Sequence, residues 1–312
     1  MIAIVIPLYN KENQIANTLQ TVFNQTFQDF EIVIVNDGST DKSVEEVEKF
    51  NDARIRLIHQ ENAGVSAARN RGIKETKYDL IALLDADDEW KPEYLQEQIN
   101  LINNFPECNV FACAYEYRDD KGKSRQITLN KMPFSSQTGV LTNYFEVASC
   151  SSPPFCSINI VARKECFLNI GGFPVGVKSG EDLLTWARLA LKYKIAYNTI
   201  PCAVYLIESE SKKGNPPVDL KITTDYVGVS LEKLYQQEAN KNVKKDLALY
   251  ISFWYKMRAS INLDLTNRYP AIKCARKSLK YNPTNWKVYT FFVIALFPAN
   301  FIRFIISKFR KL

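Results

Sequence analysis

The chain has one histidine, His59, and none of the spacings that cysteine and histidine adopt around a bound metal. Its seven cysteines, Cys108, Cys113, Cys150, Cys156, Cys166, Cys202 and Cys274, are an odd, scattered set without a CxxC pair. That pattern points to reduced thiols in the cytosol. Both common phosphate-binding signatures are missing, GxGxxG after the first apolar run and GxxxxGK[ST]. Their absence removes the dinucleotide-binding and P-loop routes to a nucleotide. No basic region precedes Ile2–Ile6, a five-residue run ended by Pro7, so no signal peptide is expected. No apolar run reaches the ~20 residues of a spanning helix. The longest candidate, Val288–Phe297, is followed by Pro298, Asn300 and Arg303.

What is present is a globular composition, 46% hydrophobic and 24% charged, with a net charge of +6. A chain of 312 residues can form one large domain or two. Ile2–Ile6, Phe30–Val35 and Arg54–His59 have the length and pattern of strands. Glu12–Gln25 has helical spacing, Val44, Val47 and Phe50 mark a second helix, and Val65–Ile73 reads as a short helix rich in alanine and arginine. Such alternation implies a parallel sheet with right-handed crossovers. After the second strand, Gly38 allows a tight turn, and Ser39, Thr40 or Asp41 can cap the next helix.

The stretch Leu80–Asp88, LIALLDADD, carries the chemistry: five apolar residues run into Asp85, Asp87 and Asp88. Open α/β sheets bind ligands at this carboxyl edge, and unpaired carboxylates are costly to bury there. Hard oxygens at i and i+2 suit Mg²⁺ or Mn²⁺ bridging to phosphates. A polar turn capping the helix near Lys91-Pro92 is the plainer reading, and it serves for Asp88. No basic residue lies close in sequence to pair Asp85 and Asp87, so a cation is expected. Asp37 ends a strand at the same edge, where it can accept from a uracil ring nitrogen or a ribose hydroxyl.

Residues 1–115 resemble family-2 glycosyltransferases of the GT-A fold. The matching residues are Ile4–Asn10 (IVIPLYN), Val35–Asp41 (VNDGSTD), Gln60–Gly64 (QENAG), Ala67–Gly72 (AARNRG) and Leu84–Asp88 (LDADD). Each segment is weak alone; five in order at one sheet edge are specific. The resemblance implies that Pro7, Tyr9, Asn10, Glu12 and Asp37 hold the nucleotide and that Asp87 binds the metal. It places Asp85 at the ribose or a metal-bound water, Ala86 in the nucleotide-sugar site, and Arg69 near the nucleotide. For Arg69 a solvated helix face is the competing reading.

A second acidic stretch, Gly180–Arg188 (GEDLLTWAR), opens a helix. The helix dipole stabilises acids there and accounts for one of them. By the resemblance, a Gly171-Gly172-Phe173 turn followed by Glu-Asp makes Asp182 the general base and Glu181 its neighbour, contacting acceptor hydroxyls. Arg188 could pair with either acid or face solvent; Trp186 could stack on a sugar or pack in the core. Many relatives place a metal-ligating histidine shortly after this helix. None is available, so Glu208, Glu210 or water would complete the shell, and His59 is read as structural.

The expected fold is α/β of the GT-A type, Rossmann-like, with a mostly parallel sheet flanked by helices. Residues 1–215 would be the catalytic domain, with 1–115 the nucleotide-sugar half and 116–215 the acceptor half; 118–156 shows little periodicity. Residues 216–312 would be helical, with 269–283 resembling one helix-turn-helix unit. Phe301, Ile302, Phe304, Ile305 and Phe309 fall opposite Arg303, Ser307, Arg310 and Lys311, the pattern of an interfacial helix; a helix docked on the catalytic domain is the alternative. The expectation is a metal-dependent, inverting transferase that uses a UDP-sugar. Its acceptor would be a saccharide or lipid-linked saccharide, at the inner face of the cytoplasmic membrane, with no nucleic acid involved. The rivals are a nucleotidyltransferase, whose glycine- and lysine-rich phosphate loop is missing, and a non-catalytic binding protein.

Overall fold

The computed structural model describes residues 1–207 and 225–298. The chain forms two compact units, Met1–Asn215 and Pro216–Leu312. The first begins with β1 (Ile2–Leu8), α1 (Ile15–Phe23), β2 (Phe30–Asp37), α2 (Ser43–Glu48), β3 (Ile55–Gln60), α3 (Val65–Glu75) and β4 (Leu80–Leu83). It continues with β5 (Glu89–Trp90), α4 (Tyr94–Asn104), β6 (Val110–Asp119), β7 (Ser124–Gln126) and β8 (Thr138–Val140). Then come α5 (Tyr144–Cys150), β9 (Ile160–Arg163), α6 (Lys164–Asn169), α7 (Glu181–Lys192) and β10 (Ile195–Ile207).

These strands form one ten-stranded sheet ordered β3-β2-β1-β4-β9-β6-β10-β5, with β7 beside β6 and β8 beside β10. From β3 to β4 it is parallel. Beyond β4 it is mixed, because β9 runs antiparallel to both β4 and β6 while β10 is parallel to β6. Ile2, Ile4, Ile6, Ile32 and Ile34 are fully buried. The continuous apolar runs of β1 and β2 therefore mean a sheet covered on both faces, each such side chain contributing about 1.5–3 kcal/mol. β1 continues through Pro7 because β4 stops pairing at Val5, beyond which the missing N–H costs no ladder bond on that side.

The structure departs from the sequence reading in places. β4 is only four residues long, so the carboxylates sit in the turn beyond it. Residues 118–156 contain β7, β8 and α5, elements too short to establish a period. The long β10, with irregular register around Pro201, was not apparent in the sequence.

The second unit contains α8 (Tyr226–Gln237), α9 (Lys241–Asp264), α10 (Arg268–Tyr281) and α11 (Trp286–Ile294). Asn240 starts α9 by accepting from the amides of Asn242 and Val243. Small residues let the helices approach: Ala259 and Ala275 pack with Val288, and Ser252 and Ser278 hydrogen-bond at 2.9 Å inside. The outer side of α11 and its following turn exposes Trp286, Tyr289, Val293, Leu296 and Phe297. No helix among the described residues is long and apolar enough to cross a membrane. Glu208, Glu210 and the amphipathic segment 301–312 lie outside the described residues.

Candidate active site

The connections at the carboxyl ends of β1, β2, β3 and β4 surround a cleft of about 380 Å³. Its lining includes Pro7, Tyr9, Lys11, Asp37, Asp85, Ala86 and Asp87. The first two turns are laced together. Asn10, at φ +50°, accepts from the Thr40 amide at 2.8 Å and donates its own amide to Ser39 Oγ at 3.1 Å. Glu12 Oε2 accepts from the Lys42 amide at 2.9 Å, and the Glu12 amide donates to Asp41 Oδ2. Asn10 and Glu12 thus shape the turns and do not line the cleft. Asp41 accepts from Ser43 and Glu12, and these bonds hold its carboxyl below the usual range although burial works against them.

Asp37, 3% exposed, closes the next wall. Its Oδ1 accepts from Gln60 Nε2 at 2.7 Å and the Ala63 amide at 2.9 Å, and its Oδ2 accepts from the Gly64 amide at 2.8 Å. One carboxylate therefore orders the whole Gln60–Gly64 loop. Of its roughly four lone-pair sites, three are used. His59 has a structural partner, Asn36 Nδ2 at 3.2 Å from its Nδ1.

The acids after β4 are paired, contrary to the expectation that only an added cation would do so. Lys11 Nζ lies 2.6 Å from Asp87 Oδ2 and Arg69 NH2 lies 2.7 Å from Asp85 Oδ1. Both partners come from distant turns or helices. Asp88 is no helix cap: it is buried, and its Oδ1 accepts from the Leu206 amide at 2.8 Å. The Ala86 and Asp88 carbonyls accept from Thr18 Oγ1 at 3.0 and 2.9 Å, which fixes this turn to α1.

Arg69 is 4% exposed, so the solvated-face reading fails. Besides Asp85 it faces Glu181 Oε1, 3.6 Å from NH1, and lies over the Phe173 ring at 5.2 Å. Among the described residues its Nε and NH1 meet no hydrogen-bond acceptor. Arg69 can be buried because α3 hugs the sheet at Gly72, where a Cβ would come within 2.3 Å of Val5 Cγ1. The neighbouring Asn70 clamps the glycine turn: Nδ2 donates to the Phe173 carbonyl and Oδ1 accepts from the Phe173 amide, both at 2.8 Å. Gly172 there has φ +68° and no room for a side chain, since a Cβ would meet Asn70 Oδ1 at 2.5 Å.

That clamp sets the start of α7. Glu181 and Asp182 are its first two residues, and Asp182 Oδ1 accepts from the Leu183 amide at 2.7 Å. Burial, then the charge of Asp182, pushes the Glu181 carboxyl up to about 7 despite Arg69. Burial also raises the Asp182 carboxyl, against the Leu183 amide and the Arg69 charge. Among the described residues the cation facing this pair is Arg69, not Arg188. Trp186 is fully buried edge-on to Phe155 and Phe173, so it packs the core and offers no sugar platform.

Sequence reasoning missed Lys11, Asn70 and Tyr205. Tyr205 sits by the acidic turn, where burial and the charges of Asp88, Asp85 and Asp87 push its phenol up. Among the described residues no three His, Cys, Asp or Glu converge into a ready cation cage. Asp85 and Asp87 still suit a hard ion that takes one or two carboxylate oxygens and completes its shell with phosphates and water.

The family model for Glycosyl transferase family 2 matches residues 3–159. An uncharacterized glycosyltransferase of Rickettsia bellii is 30% identical over 194 residues, 61% of this chain and 26% of that protein. The putative glycosyltransferase EpsH of Bacillus subtilis is 36% identical over 126 residues, 39% of this chain and 36% of that protein. The chain thus spans about a quarter to a third of the length of these curated relatives. Among solved structures, S. aureus TarS 1-349 in complex with UDP-GlcNAc superposes with a TM-score of 0.71 at 17% identity, covering 99% of this chain and 91% of that one. The mannosyltransferase PcManGT of Pyrobaculum calidifontis, in complex with GDP-Man and Mn²⁺, gives a TM-score of 0.60 at 18% identity, covering 98% and 84%.

Proposed function

Because the chain belongs to glycosyltransferase family 2, we propose that it transfers a sugar from a nucleotide-diphosphate donor, a UDP-sugar, to a saccharide or lipid-linked saccharide hydroxyl. Transfer inverts the anomeric carbon and serves surface polysaccharide assembly. The observation that carries this reading is the buried Arg69, whose guanidinium faces both Asp85 at the cleft and Glu181 beside Asp182. One cation fixes the donor edge and the acid pair in a single arrangement. The donor-bound complexes of TarS and PcManGT, which share the fold, support a nucleotide-sugar in this cleft.

In this reading residues 1–115 bind the donor and 116–215 the acceptor. Pro7 and the half-exposed Tyr9 flank the nucleobase, and the remaining lone pair of Asp37 accepts from its ring N–H. The Asp182 carboxylate takes the proton of the acceptor hydroxyl as its oxygen bonds to the anomeric carbon. The glycosyl–phosphate bond breaks on the opposite side and its electrons leave with the diphosphate. Glu181 and Arg69 hold the base in place, which supplies proximity and alignment. Asp87 and Asp85 would hold Mn²⁺ or Mg²⁺; when bound, such an ion supplies Lewis-acid charge to the departing phosphate. UDP release from a panel of UDP-sugars, with and without Mn²⁺, tests this. No release with any sugar nucleotide, or pyrophosphate release from a nucleoside triphosphate instead, sinks it in favour of a binding protein or a nucleotidyltransferase.

The membrane side of the reading rests on charge. Residues 265–312 contain ten Lys and Arg and no Asp or Glu, whereas 1–264 hold thirty against 34. The positive excess is therefore confined to the end that also exposes the Trp286, Tyr289, Val293, Leu296 stripe. Aromatic and aliphatic side chains beside basic ones suit an anionic lipid surface, as at the inner face of the cytoplasmic membrane.

A further inference from the structure

The cleft contains a cation that the donor reading does not use. Lys11 follows the first turn, lines the cleft, and contacts Asp87 Oδ2 at 2.6 Å with its side chain 29% exposed. Its backbone is pinned: the amide donates to Ser43 Oγ at 2.6 Å, and its carbonyl accepts from the amides of Gln14 and Ile15 at 3.1 and 3.0 Å. The ammonium stands on a four-carbon stem beyond this pinned backbone. A lysine head is a compact point charge on a rotatable chain, able to exchange one anionic oxygen for another nearby. The Asp87 oxygen it occupies is one that a divalent ion would need.

We propose that Lys11 is a diphosphate-binding residue that hands Asp87 over. Paired with Asp87, its ammonium neutralises that carboxylate and competes with a divalent cation. When ion and nucleotide enter together, the ion takes the carboxylate oxygen and Lys11 turns to a phosphate oxygen. The exchange keeps the cleft near neutrality at every stage, because the diphosphate brings the negative charge that Lys11 needs once Asp87 is taken. It makes ion and nucleotide binding mutually reinforcing, with Lys11 as the coupling element. The inference rests on a nucleotide-diphosphate donor in this cleft.

The test is calorimetric binding of Mn²⁺ alone, and of UDP at saturating Mn²⁺, to the full chain and to Lys11→Met and Lys11→Arg. Lys11→Met removes the charge and keeps most of the stem. Losing an ammonium competitor from a partly exposed pair tightens Mn²⁺ alone about fivefold. Losing a charge-assisted phosphate contact weakens UDP by roughly tenfold or more. Lys11→Arg retains most of the UDP affinity. Effects of opposite sign are the signature, since a lysine that merely shapes the turn would weaken both ligands. Unchanged UDP binding in Lys11→Met overturns the phosphate role, and unchanged or weaker Mn²⁺ binding overturns the competition. A parent chain that binds no UDP with Mn²⁺ refutes the donor reading itself, an outcome distinct from both.

Discussion

Replacing Arg69 by methionine fills similar space and leaves two acids facing a buried site without their cation. Arg69 is 4% exposed, while the side chains of Asp85 and Glu181 are 25% and 14% exposed. Breaking a fully buried ion pair by removing one partner costs about 3–5 kcal/mol. The partial exposure of Asp85 and the 3.6 Å gap to Glu181 move the expectation to roughly 2–3 kcal/mol. For a unit of this size that is a fall in Tm of about 5–10 °C. The loss also depends on pH. The folded-state value of Glu181 is raised from 4.5 to about 7, so its favourable contribution is complete below 4.5 and disappears as pH rises through 7. Without the guanidinium the folded value climbs further, and the deficit of Arg69→Met grows from pH 6 to pH 8. Differential scanning fluorimetry of both proteins at the two pH values measures it. Arg69→Lys should lie between them, because one ammonium cannot face both acids as a planar fork does. A deficit under 1 kcal/mol, or one equal at both pH values, would refute the view of Arg69 as the charge between the two acid groups.

Asp182→Asn should lower kcat by about 10²–10⁴-fold with UDP affinity nearly unchanged, and Glu181→Gln should do less; equal, small losses would reduce the pair to a helix start. The acid limb of the kcat/KM profile should fall well above the ordinary carboxylate range, because burial raises both Glu181 and Asp182, and activity is lost as pH drops through it. Asp87→Asn should weaken UDP binding at saturating Mn²⁺ without lowering Tm; UDP titrations matching the parent would contradict the metal assignment. Gly172→Ala combines a left-handed backbone with the 2.5 Å approach to Asn70 Oδ1 and should cost roughly 2–3 kcal/mol in urea melts. Trp286→Ser with Leu296→Ser should release the protein from phosphatidylglycerol vesicles at high salt in co-sedimentation, where the basic residues, at about 1 kcal/mol each near the surface, are screened. A parent that never sediments with such vesicles would refute the lipid face.

The sequence by itself determined the elements whose signal is local. Apolar runs of five or six residues fixed β1 and β2, helical spacing fixed α1, and composition marked α3. The carboxylates lying at strand ends on one sheet edge followed from that alternation, and five short segments in order named the family. Helical spacing could also have reported Arg69 as buried, since it stands three residues from Gly72 and four from Ile73 on the inner face of α3. Its charge argued the other way, because burial of arginine depends on partners that spacing does not show. Tertiary structure alone decided those partners. Lys11 meets Asp87 across 76 residues, Asn70 grips Phe173 across 103, and Asp88 holds Leu206 across 118. No periodicity links residues so far apart; the sheet order brings them together. The mixed sheet beyond β4, β10 with its irregular register, and the core role of Trp186 were decided there as well. Each depends on which neighbour a strand or ring packs against, and that choice is made only when the layers close.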